Sequence, residues 1–132
     1  MFRLSNPAIK VSSVLNRDTR SYGKKHLIDG NDETCWNSDQ GVNQYIQISL
    51  SEPQSIKLIR IMFQGGFAAR KCSFEAEGSD TIIFNPLDNN TLQEFYIYSN
   101  VCQTFKVTFL EPTDFYGRMT VYDFDIEFSV RS

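Results

Sequence analysis

The sequence is poor in the side chains that most often carry catalysis or hold metals. His26 is its only histidine, and Cys35, Cys72 and Cys102 are its only thiols in 132 residues. Three cysteines are an odd number and no Cys-x-x-Cys spacing occurs, which argues against a disulfide framework and against a zinc site. Buried or half-buried thiols in a reducing compartment are expected instead. Gly-x-Ser-x-Gly, P-loop and His-Glu-x-x-His patterns are all missing, so nothing supplies the oriented base that a nucleophile needs. His26, following Lys24 and Lys25, reads as part of an exposed basic segment, and the chain reads as a non-enzyme. No stretch approaches the roughly 18 consecutive apolar residues of a membrane span. Arg3, Asn6 and Pro7 interrupt the N-terminus before an apolar signal core can form. The chain is therefore expected to be intracellular, and no membrane partner is expected.

Excess charge is also scarce. Thirteen Lys and Arg against sixteen Asp and Glu leave a net charge of −3, which argues against binding nucleic acid through bulk electrostatics. What the chain has is core material: 41% apolar and 14% aromatic residues exclude disorder. The length suits one domain, expected over residues 1–132.

Period-two alternation dominates. In Tyr122–Val130, Phe124, Ile126 and Phe128 fall on one face and Asp123, Asp125 and Glu127 on the other. Tyr45–Leu50 puts Ile46, Ile48 and Leu50 inward and Gln47 and Ser49 outward. Ile56–Phe63 carries Ile59, Ile61 and Phe63 on one face, Phe105–Phe109 alternates, and Thr81–Phe84 and Glu94–Tyr98 are further strand candidates. Turn signals separate them at Ile28–Asn31, Asp39–Gly41, Ser51–Pro53, Gln64–Gly66, Glu77–Asp80, Asn85–Asn90 and Glu111–Asp114. Six to eight short strands at this spacing predict an all-β sandwich or barrel of antiparallel sheets. The only helical hint is Asn6–Asn16.

The segment Leu27–Ser38 crowds carboxylates and amides around a glycine turn just before the lone Trp36. Asp29, Asn31, Asp32 and Thr34 offer hard oxygens of the kind that hold calcium. An EF-hand is excluded, because the sixth position counted from Asp29 is Thr34 and the twelfth is Gln40. The alternative is an Asx-rich turn whose side chains bond its own backbone, with Trp36 in the core. On the closing strand, Asp123, Asp125 and Glu127 have carboxylate-pair spacing, but every outward strand face shares it; a solvated acidic face is expected.

The order Asp29-Gly30-Asn31, Thr34, Trp36, Ser38, followed by the alternating strand Tyr45–Leu50, resembles the discoidin or coagulation factor V/VIII C-type domains of the galactose-binding-like group. The resemblance covers nearly the whole chain. It implies an antiparallel jelly-roll β-sandwich with ligand-binding loops at one end. It also implies that Asp29, Asn31 or Asp32, Thr34 and Asp123 would hold a structural calcium in calcium-binding relatives; no other cofactor is implied. Secreted members bind sugars or lipid head groups through aromatic and basic loop residues, which here would be Phe67, Arg70, Lys71, Phe115, Tyr116 and Arg118. Longer runs, among them Glu33–Gly41, Phe63–Phe67 and Thr113–Arg118, are similar to a small intracellular, nuclear-receptor-associated branch of this family. That branch implies a protein partner, a nuclear receptor, through a repressor role; the alternative keeps the fold and makes the chain a subunit of a larger ciliary or cytoskeletal assembly. A further alternative is a calcium-dependent carbohydrate-binding domain, with sugar the less expected partner.

For those loops, an aromatic beside Arg suits a protein hot spot, and Gly65-Gly66 ahead of Phe-Ala-Ala-Arg-Lys is costly to order without a partner. The alternative puts Phe67 and Phe115 in the core and Gly65-Gly66 in a bare hairpin. Finally, residues 1–25 hold Arg3, Lys10, Arg17, Arg20, Lys24 and Lys25 against Asp18 alone. A basic patch facing an acidic partner is expected. The compartment expected is cytoplasm, nucleus or cilium.

Overall fold

A computed structural model describes residues 8–31 and 33–129. Eight strands run in the order β1 (Ala8–Val11), β2 (Trp36–Asn37), β3 (Gln44–Phe63), β4 (Cys72–Ala76), β5 (Ile82–Phe84), β6 (Leu92–Tyr96), β7 (Val101–Phe109) and β8 (Thr120–Phe128). All their pairings are antiparallel. They make two layers that share β3. Its first part pairs with β1 and β7, and β7 passes on to β4 and β5. Its last part, from Ile56, pairs with β6 on one side and β8 on the other, and β8 passes on to β2. Of the all-β sandwich or barrel that alternation left open, the antiparallel sandwich implied by the resemblance is the architecture found.

β3 differs from the expectation in one respect. Ser51–Pro53 is not a turn between two strands but an exposed stretch inside one 20-residue strand. The register against β7 jumps between Ser49 and Gln54, a bulge where Pro53 costs no ladder bond and the strand leaves one layer for the other. The other six turn signals fall between elements as expected.

The N-terminal helical hint is overturned. Ala8–Val11 is a strand paired with Ile46–Ser49, and the short 3-10 turn Leu15–Arg17 overlaps only the end of the span; Asn6 and Pro7 lie outside the described residues. Pairing with β3 buries Ile9, a gain that no isolated turn of helix offers. Downstream, α1 (Thr19–Tyr22) is capped by the Asp18 side chain on the Ser21 N–H. A second 3-10 turn, Lys24–Leu27, then carries Leu27 into the core.

Between the layers, Ile46, Ile48, Ile59, Ile61, Phe63, Phe105, Val107, Phe109, Phe124 and Ile126 are buried. Trp36 is fully buried, 6.2 Å from the Phe109 ring, and Phe63 meets Phe109 edge-on at 5.9 Å. Its indole N–H donates to the Ser13 carbonyl at 2.9 Å, so the buried polar edge is satisfied. Cys72 and Cys102 are buried and Cys35 half-buried. Burial pushes all three thiols up, away from the reactive thiolate. No helix among the described residues is long and apolar enough to cross a membrane.

The solvated acidic face expected on β8 is corrected. Asp125 is buried, Asp123 is half-buried, and Glu127 is held by Arg60 Nη2 at 3.0 Å. The cause is register: Arg60 of β3 lies between Glu94 of β6 and Asp125 of β8. From there its Nε reaches Glu94 at 2.8 Å. Lys57 adds a contact of 3.9 Å to Glu127. The outer face of this sheet is thus a charge lattice centred on Arg60.

Candidate functional site

Two acid-rich bends frame the candidate site, and they use their polar groups differently. The first is the turn before Trp36. The Asp29 carboxylate accepts from the Asn31 N–H at 3.0 Å and the Thr34 hydroxyl at 2.5 Å, and lies 3.1 Å from His26 Nδ1. Asn31 Oδ1 accepts from the Glu33 N–H at 3.0 Å, and Thr34 N–H donates to the Asn31 carbonyl. Burial raises the Asp29 carboxyl, but Thr34, Asn31 and His26 outweigh it and hold it below its ordinary value. His26 Nε2 sits 3.0 Å from the Arg20 carbonyl, and its side chain is only 12% exposed. The exposed His26 expected from the sequence is therefore corrected: both ring nitrogens bind the turn to the preceding helix.

Of the residues implied as calcium ligands, the structure brings together Asp29, Asn31 and Thr34. Asp32 lies outside the described residues. Asp123 stands on β8 opposite Met62. Among the described residues no group of three or more His, Cys, Asp or Glu side chains could hold a metal ion. The turn's oxygens are engaged in hydrogen bonds among themselves, which suits a bend that closes without an ion.

The second bend is Asp114–Arg118, between β7 and β8. Asp114 is its hub: its carboxylate accepts from the Tyr116 N–H at 3.1 Å and the Arg118 N–H at 3.0 Å. It also takes the Arg118 guanidinium in a fork, Nε at 2.9 Å and Nη2 at 3.0 Å. Arg118 is the main reason that the Asp114 carboxyl lies below its ordinary value. The same guanidinium stacks over Phe67 at 5.3 Å and over Tyr116 at 5.4 Å. Gly117 has φ +80°, and a Cβ there would lie 2.4 Å from the Gly41 carbonyl oxygen. Gly41 in turn donates to the Tyr116 carbonyl at 2.9 Å. The two loops are thereby locked together, as only glycine at 117 permits.

On this braced loop Phe115 is 93% exposed and packs edge-on against Tyr116, 5.2 Å away and 55% exposed. Val42, 74% exposed, rides on the neighbouring loop. Phe67 is half-buried beneath Arg118, neither a core residue nor a free one. Arg70, exposed, faces Asp88 at 3.8 Å, and half-buried Lys71 accepts the Leu110 N–H on its carbonyl. Among the described residues no hydrogen bond, ion pair or ring contact joins Arg70 or Lys71 to the Phe115–Arg118 group. The glycine pair is ordered from within the chain: Asn90 Oδ1 accepts from Gly65 N–H at 2.9 Å and Asp88 Oδ1 from Gly66 N–H at 2.8 Å. No partner is required to hold it. Beside Phe67 and Arg118 a small cleft of about 220 Å³ opens, lined by Asn37, Ser38, Gln64 and Thr120.

A match to the family described as NedA-like, galactose-binding domain, of F5/8 type C, spans residues 26–119. The chain belongs to this F5/8 type C family. It is 45% identical over 118 residues to the nuclear receptor 2C2-associated protein of Homo sapiens, covering 86% of this chain and 85% of that one. With its Danio rerio counterpart the identity is 43% over 123 residues, 89% of this chain and 87% of the other. Among solved structures, an F5/8 type C domain from Bacteroides fragilis superposes with TM-score 0.76 at 18% identity, covering 95% and 93% of the two chains. A family 32 carbohydrate-binding module of Clostridium perfringens, solved with galactose, gives 0.73 at 14%, with 91% and 92% covered. At those identities the likeness shows the F5/8 type C fold alone. Neither the family description nor the relatives' names denote an enzyme.

Sequence reasoning missed Val42 and Gly117. Val42 stood out in principle as an apolar residue directly after the turn signal Asp39–Gly41. Gly117 carries no signal without a partner loop, because its constraint comes from Gly41, 76 residues away in sequence (117 minus 41).

Proposed function

We propose that this F5/8 type C jelly roll, acting as one unit over residues 1–132, is a non-enzymatic protein-binding module. It grips its partner with the loop end: Phe115 and Tyr116 as anchors, Arg118 and Phe67 as their base, Arg70 and Lys71 on the rim. The observation that supports this most is Phe115 at 93% exposure on a loop pinned by Asp114 and Gly117. A large exposed aromatic is costly to leave in water, and a rigid one loses little entropy on binding. Aromatics and Arg are the residues that dominate hot spots.

We take the partner, in line with the relatives' name, to be a nuclear receptor of the 2C2 type, with the chain acting at the receptor as a repressor in the nucleus or cytoplasm. The turn at Asp29 serves in this reading as a self-bonded clip without calcium. Titrating the purified chain with purified nuclear receptor 2C2 in a calorimeter tests the proposal. Saturable heat at one-to-one stoichiometry, unchanged by millimolar galactose, is expected. A second reading, sugar binding, draws on the cleft of about 220 Å³ beside Phe67, with Asn37, Gln64 and Thr120 as polar lining. It gains the upper hand if the receptor gives no heat and galactose does.

A further inference from the structure

Within residues 8–25, folding gathers four of the cations in one place. Lys10, Arg20, Lys24 and Lys25 line one groove of about 560 Å³ between β1 and the segment Thr19–Lys25, on a chain whose net charge is −3. Val11 and Val14 supply its apolar floor. The nearby acids are otherwise engaged. Asp18 caps α1 through the Ser21 N–H, and Asp29 is bound to His26 and Thr34. Among the described residues none of the four cations makes an ion pair. Like charges gathered without a counter-charge repel one another, so the groove is poised for an anionic occupant.

One wall of the groove is an open sheet edge. β1 pairs with β3 alone among the described strands. Ser12 N–H donates to the Tyr45 carbonyl at 3.0 Å. Antiparallel pairs alternate, so Lys10 exchanges bonds with β3 while Ile9 and Val11 turn their main-chain groups away from it. An extended chain laid there has main-chain partners, and its side chains alternate between groove and solvent at about 6.5–7 Å spacing on each face. The apolar floor and the modest size favour a peptide over a nucleic-acid backbone, which offers only charge at this depth.

We propose that the groove between β1 and Thr19–Lys25 is a second recognition site, taking an extended acidic segment of a partner protein. Carboxylates of that segment sit on Lys10, Arg20, Lys24 and Lys25, and an apolar side chain rests on Val11 and Val14. The assignment does not rest on the loop end.

The test uses the full chain labelled with ¹⁵N and a fluorescein-tagged peptide about ten residues long, in which every second residue is Ser and the residues between alternate Glu and Leu, so that one face of the strand carries both. Saturable binding is expected, with amide shifts at Lys10, Val11, Val14, Gly23, Lys24 and Lys25. It should weaken at least tenfold in Lys24→Glu/Lys25→Glu, on exposed side chains whose reversal leaves the fold intact, and again in Lys10→Glu on the opposite wall. Raising salt from about 50 to about 500 mM should have a similar effect. The Gln-for-Glu peptide should not bind, and Phe115→Ser should leave the peptide's affinity unchanged. Absence of binding, equal affinity for the charge-reversed variants, or shifts confined to the loop end overturns the proposal. So does tighter binding of a short DNA duplex at the same amides.

Discussion

The bend before Trp36 and the bend before β8 are built from the same materials, an aspartate hub, backbone N–H donors and a nearby aromatic. They nonetheless end in opposite states. In the first, Asp29 gathers Asn31, Thr34 and His26, and the aromatic it precedes, Trp36, is fully buried. In the second, Asp114 gathers Tyr116 and Arg118, and the aromatics it carries point outward, Phe115 almost completely so. An acid-rich turn is thus not by itself a ligand site. What separates the self-bonded clip from the proposed recognition loop is where the apolar surface goes once the polar groups have satisfied one another. Buried, it stabilises the fold; exposed on a rigid base, it is available to a partner.

Substitutions in the two bends should therefore fall on opposite sides of a stability–binding divide. The largest effect is expected for Trp36→Ala, which empties a fully buried site and strands the Ser13 carbonyl. A loss of about 3–5 kcal/mol by urea unfolding is predicted. Gly117→Ala comes next, at about 2–3 kcal/mol, since it drives a Cβ into the Gly41 carbonyl at positive φ. Because it unlocks the second bend, it should lower receptor affinity as well, the one substitution to cross the divide. Asp29→Ala should cost about 1–2 kcal/mol by releasing its hydrogen bonds, with affinity retained. Calcium or a chelator should move the melting temperature by less than about 1 °C; a larger rise with calcium would turn the first bend into an ion site and erase the contrast.

Acid should weaken both bends. Asp29 sits below its ordinary value although burial raises it, Asp114 chiefly because of Arg118, and Glu127, on the β8 lattice, chiefly because of Arg60. A carboxyl that is more acidic folded than unfolded favours the fold while ionised. Stability should therefore be complete above the ordinary carboxylate range, at about pH 5, and be lost as pH falls through that range and the lowered values beneath it. Urea midpoints measured across that range check the sign.

Most of the sandwich was legible because its strands alternate: Ile46, Ile48 and Leu50 in β3 and Phe105, Val107 and Phe109 in β7 declare one buried face. β4 gave no such signal, since Cys72, Ser73 and Phe74 are buried in succession. β2 is two residues long, too short for any period, and β1 was obscured by a helical hint that pairing with β3 overrode. Alternation also assigned Asp125 to water, yet it is buried, on β8 opposite Arg60, 65 residues earlier (125 minus 60). At the candidate site the residue types were legible and their exposure was not. Phe67 and Phe115 look alike in sequence, yet one is half-buried under Arg118 and the other stands in solvent.

Phe115→Ser is the smallest change to the fold and the most direct test of the proposed recognition loop. Its melting temperature and its calorimetric titration with nuclear receptor 2C2 should be measured beside those of the unaltered chain. The account predicts stability within about 0.5 kcal/mol of the parent and affinity lower by at least about tenfold, or roughly 1.4 kcal/mol. Unchanged affinity at unchanged stability would contradict it.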